Sequence, residues 1–322
     1  MYFYSTVMIE AHKLSKYFGE RAAIRDLSFS IASGEVIGLL GLNGAGKTTT
    51  LRMLACLLLP TSGTVSVDGV EVTEDPFAIR RKIGYLPDVP PVYPEMTVGS
   101  YLAFAAQLRR VPGRELAARV EEAETKTALR EVHGEVIGEL SHGYRQRVGL
   151  AQAIVHKPAL LILDEPAAGL DPAQIIEMRG LLRGLRGEHT VLISSHFLLE
   201  ISQTCDRLLV LHKGELIAQG SESELAQSMG QGAVTITAEV RGQPADLATR
   251  LAALPSVSKA DGHETAEGTT VLDIVASSDV RPEVARLLVA DRDLLRLERG
   301  ATRLEGIFMS LTAAGETKGG PQ

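Results

Sequence analysis

The feature that most constrains this 322-residue chain is a glycine-rich segment from Gly41 to Thr48, which reads GLNGAGKT. It fits the pattern G-x-x-x-x-G-K-[ST]. The segment continues a short apolar run at residues 34–41, typical of a strand buried in a parallel sheet, and leads into leucines at helical spacing that end at Pro60. We therefore predict a strand, a glycine loop and a helix, with loop N–H groups arranged to bind phosphate at the helix N-terminus.

Two further apolar runs also end in polar residues. Residues 159–163 precede Asp164 and Glu165, and residues 191–193 precede a segment that ends at His196. In open α/β sheets, ligands bind beyond the carboxyl ends of the strands. We therefore expect the three strand ends to form one site in an α/β fold of the P-loop NTPase type.

The residue types at these strand ends favour nucleotide chemistry. Lys47 is predicted to reach the β- and γ-phosphates, and the Thr48 hydroxyl to bind Mg²⁺. Asp164 would hold the metal's water shell, and Glu165 would orient or deprotonate the attacking water. The alternatives are a glycine-rich turn without a ligand and a pair of surface carboxylates. The loop alone does not distinguish a kinase, a GTPase, a helicase or a transporter.

Over residues 9–220 the chain resembles the ABC ATPase family. Residues 140–147, LSHGYRQR, stand where that family has its LSGGQ signature, residues 169–171 correspond to its D-loop, and His196 corresponds to its switch histidine. The resemblance implies that ATP lies between two copies arranged head to tail. The phosphate loop of one copy and Ser141 and Gly143 of the other would then bind the same nucleotide, with the positive end of the signature helix towards the γ-phosphate.

The resemblance also assigns roles to individual residues. His196 would contact the γ-phosphate, although a lone histidine is more often structural. Phe18, or alternatively Tyr17, would stack on adenine, although either ring could instead be a core aromatic. The nucleotide contacts implied are Phe18, Gly41, Asn43, Gly44, Ala45, Gly46, Lys47, Thr48, Thr49, Asp88, Ser141, Gly143 and Asp171, the Mg²⁺ ligands are Thr48, Asp88 and Asp164, and the catalytic residues are Glu165 and His196.

The sequence departs from the family pattern at two places. Asp88 stands where the family has the glutamine of its Q-loop, so a shorter, charged side chain replaces a neutral one. His142 and Tyr144 replace a glycine and a glutamine of the signature. Both changes resemble the subgroup of ABC ATPases that work with separate permeases, including gliding-motility, copper-processing and multidrug export types. That subgroup implies a role in export.

The pattern along the chain predicts two domains. We expect a nucleotide-binding domain at residues 1–220 with a helical insertion at about 89–150, and a linker at 221–233. Residues 234–313 have the order β-α-β-β-α-β of a small ferredoxin-like α+β domain, ending in a helix at 304–311. Its core is predicted at Val234, Ile236, Leu251, Leu272, Ile274 and Leu287, and residues 314–322 are predicted to be disordered.

Composition limits where such a chain works and what it binds. A net charge of −7 argues against nucleic acid as a partner. The N-terminus does not have the pattern of a signal peptide, and the strongest apolar run is too short to span a bilayer. We therefore predict a cytoplasmic protein, held at the inner face of the membrane by a separate permease and pairing with a second copy of itself.

Two other classes of protein remain as alternatives. One is a soluble ABC ATPase that acts on DNA or the ribosome, which usually has two ATPase domains or a long coiled coil, and neither is present in this sequence. The other is a regulatory ABC-type ATPase without a transport role. The segment Val89 to Thr97, with its prolines and Tyr93, is predicted to be a stiff surface that docks on the permease.

Overall fold

In the computed structural model, the described residues are 7–196, 201, 204–221, 223–225, 234–242, 246–265, 268–290 and 292–299. The chain forms two compact units, residues 1–221 and 222–322. The predicted helix at 304–311, the tail at 314–322 and most of the predicted linker lie outside the described residues.

The centre of the first unit is a six-stranded sheet with the order β10-β9-β3-β8-β7-β6. All neighbouring strands are parallel except β10, which is antiparallel to β9. Every residue of β3, β7 and β8 is buried, as expected for strands covered on both faces. The strands are β3 (Val36–Leu40), β6 (Ile83–Leu86), β7 (Leu160–Asp164), β8 (Thr190–Ser195), β9 (Arg207–His212) and β10 (Glu215–Gly220).

A second, antiparallel sheet has the order β2-β1-β4-β5. One apolar core joins it to the central sheet and to helix α1, with Ile9, Leu27, Leu51 and Leu209 among its fully buried members. This core fixes the start of α1 directly after the glycine loop. The elements are β1 (Val7–Phe18), β2 (Arg21–Ala32), β4 (Ser62–Val67), β5 (Val70–Glu71) and α1 (Lys47–Leu54).

The helical part of the first unit packs around a separate core on the other side of the central sheet. Leu102, Val120 and Val148 are buried there against Leu161 and Leu163 of β7. The Thr97 hydroxyl caps α3 by accepting a hydrogen bond from the Ser100 N–H at 3.3 Å. The helices are α2 (Pro76–Lys82), α3 (Val98–Leu108), α4 (Leu116–Lys126), α5 (His142–Ile154) and α6 (Pro172–Gly184).

The second unit has the element order β-α-β-β-α-β, and its antiparallel sheet has the order β12-β13-β11-β14. Ile236, Leu251, Leu272 and Ile274 are fully buried in its core, whereas Leu288 is fully buried where the sequence suggested Leu287. Val234 and Leu287 are partly buried against this core. The elements are β11 (Val234–Arg241), α7 (Leu247–Ala252), β12 (Val257–Glu264), β13 (Thr269–Ala276), α8 (Arg281–Val289) and β14 (Leu294–Arg299).

No helix within these described ranges is long and apolar enough to cross a membrane.

Candidate functional site

A cavity of about 600 Å³ opens in the first unit where strands β3, β6, β7 and β8 end. Residues from the segments that follow all four strands line it, as the strand-end pattern predicts. Its lining also includes five residues that the sequence analysis did not assign: Arg21, Ala22, Ala23, Leu42 and Ala168. The predicted site residues in the lining are Phe18, Asn43, Gly44, Gly46, Lys47, Thr48, Thr49, Asp88, Glu165 and His196.

The glycine loop enters α1 in a conformation that excludes a side chain. Gly46 has φ +104, and a Cβ there would lie 2.5 Å from Ile24 Cδ1 and 2.7 Å from the Ala23 carbonyl oxygen. Gly46 is also the N-cap of α1, and among the described residues no side chain caps this helix end. The first N–H groups of α1 therefore face the cavity side of the loop as donors for an anion.

The ammonium of Lys47 is held inside the loop. The side chain is 6% exposed, and Nζ donates to the Gly41 carbonyl oxygen at 2.7 Å. Nζ also lies 3.2 Å from Oε1 of Glu165. A buried ammonium with carbonyl and carboxylate partners is placed to exchange those partners for phosphate oxygens.

The carboxylate of Asp164 lies below the cavity at the end of β7. It is 1% exposed, and its Oδ1 accepts hydrogen bonds from Ser194 Oγ at 2.7 Å and from Thr48 Oγ1 at 3.3 Å. Its Oδ2 is buried and has no hydrogen-bond partner in the described part of the chain. Burial raises the pKa of the Asp164 carboxyl, while the Ser194 and Thr48 hydroxyls lower it. A buried carboxylate oxygen without a donor, next to a threonine hydroxyl, is a donor set that fits Mg²⁺.

Glu165 directly follows this strand and takes a left-handed backbone conformation, with φ +49. Its Oε2 lies 2.8 Å from Nδ1 of His196, which follows β8. The Glu165 N–H donates to Ser194 Oγ at 2.9 Å, so Ser194 contacts both acidic residues. The carboxylate of Glu165 is therefore positioned by its backbone and by contacts with Lys47 and His196.

Phe18 lies at the cavity edge where β1 ends. Its ring is 54% exposed, and Lys16 Nζ lies 5.3 Å from the ring centroid. Tyr17 is 39% exposed and is not part of the cavity lining. The reading of Phe18 as a core aromatic is therefore wrong.

Comparison with known proteins identifies the family of this chain. The ABC transporter family model matches residues 24–168. The Nod factor export ATP-binding protein I of Burkholderia lata is 35% identical over 317 residues, which cover 94% of this chain and 96% of that protein. The bacitracin transport ATP-binding protein BcrA of Enterococcus faecalis is 39% identical over 220 residues, covering 68% and 70% of the two chains. This chain belongs to the ABC transporter ATP-binding subunits.

The fold of this ATP-binding subunit is also that of solved cassettes. The bacterial ABC transporter cassette MJ0796, solved as a dimer, superposes with a TM-score of 0.61 at 26% identity, over 66% of this chain and 98% of that one. The same cassette in a post-hydrolysis state with ADP and Pi gives a TM-score of 0.61 at 25% identity. The α/β fold of the P-loop type and the family predicted from the sequence are confirmed.

The signature residues of the ATP-binding subunit lie away from its own cavity. Ser141 caps α5 by accepting a hydrogen bond from the Tyr144 N–H at 3.3 Å, and Gly143 lies against Gln174 of α6. Asp171 caps α6 by accepting from the Gln174 N–H at 2.9 Å. These three predicted site residues therefore lie near one another, and none of them lines the cavity that contains Lys47.

Asp88 of the ATP-binding subunit lies in the cavity wall after β6. Its carbonyl oxygen accepts a hydrogen bond at 3.3 Å from Nε2 of Gln146, a buried residue of α5. The segment that carries Asp88 is thus bonded to the signature helix.

Sequence reasoning gave no role to Ser194, although the parallel register pairs it with Asp164. A hydroxyl at the end of a buried strand, beside an acidic strand end, is the signal that could have found it. Arg21 carried no comparable signal, because it reaches the cavity only through the pairing of β1 with β2.

Proposed function

We propose that this chain is the ATP-hydrolysing subunit of an exporter, and that it works as a head-to-tail homodimer on a separate membrane permease. The observation that carries the proposal is the division of the site. Lys47, Glu165 and His196 line one cavity and Asp164 lies directly below it, while Ser141 is not part of the cavity lining and caps α5. The proposal rests on this geometry together with the family.

Nucleotide binding follows from the loop. The free N–H groups at the start of α1 bind the phosphates, and Lys47 exchanges its carbonyl and carboxylate contacts for β- and γ-phosphate oxygens. Phe18, exposed at the far edge of the cavity, stacks on adenine. Gly41 and Ala45 lie within the loop and hold its shape. The Gly41 carbonyl oxygen accepts a hydrogen bond from the Lys47 ammonium.

Mg²⁺ fits beside Thr48 and Asp164, and Asp88, which lines the same cavity, would help to hold the ion or its water shell. When bound, the ion would neutralise charge on the phosphates. The unpartnered Oδ2 of Asp164 is the observation that supports this position.

Hydrolysis is assigned to Glu165 and His196. As Lys47 turns to the phosphates, the Glu165 carboxylate loses that contact and becomes free to orient a water molecule and accept its proton. His196 keeps the carboxylate in place through Nδ1, and it would contact the γ-phosphate of bound ATP. The proton moves from water to a Glu165 oxygen, and the water oxygen attacks phosphorus in line with the leaving ADP.

A second copy completes the site. The Ser141 and Gly143 pair of one copy would approach the γ-phosphate held by the other, with the positive end of α5 towards it. A solved relative in this fold is described as dimeric. ATP would therefore bring the two copies together, and hydrolysis would let them separate.

The permease is proposed to dock on the segment from Val89 to Thr97. Val89 is 76% exposed and Tyr93 is 47% exposed, and the Tyr93 ring packs edge-on against Tyr101 and Phe104 at 5.8–6.1 Å. Met96 is partly buried against the helical core, so it supports this segment. An exposed apolar side chain on a braced loop is suited to contact another protein.

Export is proposed from the relatives, which are described as acting in Nod factor export and bacitracin transport. In this arrangement the chain is peripheral at the inner face of the membrane. The competing proposal, a regulatory ATPase without a transport role, keeps the ATPase and the dimer but predicts no membrane partner.

Recovery of a permease with the tagged chain from native membranes separates the two proposals. Val89→Asp should reduce recovery of the permease at least about 10-fold while ATP binding stays at the wild-type level. Val289→Asp, at another exposed valine, 60% exposed and on α8 of the second unit, is the matched control. Unchanged recovery with both Val89→Asp and Tyr93→Asp would contradict docking at this segment. ATP hydrolysis by a chain with which no membrane protein co-purifies would favour the regulatory alternative.

A further inference from the structure

His142, one of the two departures from the family signature, reaches across to the segment that follows Glu165. Its Nε2 lies 3.0 Å from the carbonyl oxygen of Ala168. Because a carbonyl oxygen only accepts, Nε2 carries the hydrogen and donates it. A glycine, the usual residue of the family signature here, has no side chain that could make this bond.

The two ends of this hydrogen bond belong to different parts of the site. His142 is the first residue of α5 and adjoins Ser141, which caps that helix. Ala168 lines the nucleotide cavity, and its N–H donates to the Glu165 carbonyl oxygen at 3.0 Å. A single turn of backbone therefore connects Glu165 to the oxygen that His142 binds.

The neighbouring backbone keeps this contact close. Gly169 has φ +72, and a Cβ at that position would lie 3.2 Å from Nε2 of His142. The close approach means that a displacement of the turn after Glu165 moves the acceptor of His142 as well.

Helix α5 is also attached to α6 by contacts that do not involve His142. Arg147 forms an ion pair with Glu177, and Gly143 packs on Gln174. Replacing His142 should therefore leave the helix in place and remove only the bond to Ala168.

We infer that His142 is a positioning residue that ties the signature loop to the wall of the nucleotide cavity in the same subunit. The nucleotide state around Glu165 then sets the position of Ser141, which the head-to-tail dimer uses on the other nucleotide. This inference rests on the proposed homodimer. His142 would couple the two ATP sites of the dimer without itself contacting the nucleotide bound in the cavity of its own subunit.

Hydrogen exchange on the full chain without nucleotide tests the contact itself. In His142→Ala, amides of residues 167–171 should exchange about 3- to 10-fold faster, because one hydrogen bond that holds this turn is lost. His142→Gln retains an N–H donor and should restore much of the protection. His12→Ala, which removes an exposed histidine of β1, is the control. Wild-type exchange rates at residues 167–171 in His142→Ala would overturn the inference.

The ATP dependence of hydrolysis tests the coupling. We expect a cooperative wild type, and in His142→Ala a Hill coefficient near one and a kcat about 3- to 10-fold lower, with KM changed less than about two-fold. His142→Gln should recover both values in part. A wild type without cooperativity, or a His142→Ala variant with the wild-type Hill coefficient, would overturn the coupling. A wild type without ATPase activity would instead contradict the proposed function, and the exchange measurement would still decide the contact.

Discussion

Oε1 of Glu165 lies 3.2 Å from Nζ of Lys47, so the proposed base and the proposed phosphate-binding ammonium contact each other directly. Both side chains are largely buried, at 14% and 6% exposed. Each group compensates the buried charge of the other, so removing either partner alone would leave an uncompensated charge in the site. Phosphate oxygens must replace the carboxylate at Lys47, and this exchange releases Glu165 for its proposed work on water.

Glu165→Gln should separate ATP binding from hydrolysis. An amide keeps the shape of the side chain but accepts a proton poorly, so turnover should fall roughly 10²-fold or more. ATP binding should persist. Because bound ATP is not hydrolysed, the two copies should stay associated, and size-exclusion chromatography should show more dimer than in the wild type. Glu215→Gln, at an exposed residue paired with Arg25, is the control. Hydrolysis by Glu165→Gln at the wild-type rate would show that Glu165 is not the base.

Asp164→Asn should raise stability while it removes activity. The unpartnered Oδ2 of Asp164 is a buried acceptor on a charged group, and a neutral amide costs less to bury. Relief of about 1 kcal/mol would raise the Tm of the nucleotide-free protein by about 2–4 °C. Loss of the carboxylate should at the same time reduce MgATP hydrolysis about 100-fold or more. Calorimetry and ATPase assays on the same sample check both parts, and a lower Tm would contradict the argument about burial.

The fold should lose stability in mild acid through His156. Its Nε2 donates to the Ile83 carbonyl oxygen at 3.2 Å, and burial, with Arg109 nearby, lowers the pKa of the ring from 6.5 to about 4. Between pH 6.5 and pH 4 the unfolded chain therefore binds a proton at His156 more tightly than the folded chain does. The free energy of unfolding is fully retained above pH 6.5 and falls as the pH is lowered towards 4. The loss at pH 5 should be about 2 kcal/mol.

Urea unfolding at pH 7.5 and pH 5 measures this loss of stability. His156→Gln keeps an N–H donor for Ile83 but cannot titrate, so the free energy of unfolding should differ less between pH 7.5 and pH 5 than in the wild type. His12→Gln removes an exposed histidine and is the comparison. An equal difference in the wild type and His156→Gln would assign the acid sensitivity to other groups, of which His189 is the first candidate because burial also lowers its pKa.

A chain truncated after Gly220 should fold and bind ATP. Strand β10 ends at Gly220, and the first unit has its own cores around β3 and β7. The second unit is proposed to be an accessory domain that contributes to dimerisation or restrains closure, so dimerisation or turnover should change. Circular dichroism and ATP binding by the truncated chain check the first expectation. An unfolded product would mean that the two segments depend on one another for folding.

Local patterns in the sequence were sufficient to predict the central strands, the glycine loop and most of the cavity. Gly41 to Thr48 specify a backbone shape, and an apolar run such as residues 159–163 specifies a buried strand whose end must be polar. The carboxyl ends of parallel strands meet at one edge, so Asp164 and His196 could be placed near Lys47 without coordinates. The β-α-β-β-α-β order of the second unit, with four strands and two helices, has no comparable ligand signal and predicts only a fold.

Contacts between distant segments were decided by the tertiary structure. Strand order and register set the pairing of Ser194 with Asp164, the position of Phe18 rather than Tyr17 in the cavity lining, and the reach of His142 to Ala168. A sequence specifies which residues lie on a strand or at its end, since that depends on near neighbours. Which hydroxyl, ring or carbonyl oxygen then lies within about 3 Å of another group depends on how separate strands and helices pack, and no local pattern contains that information.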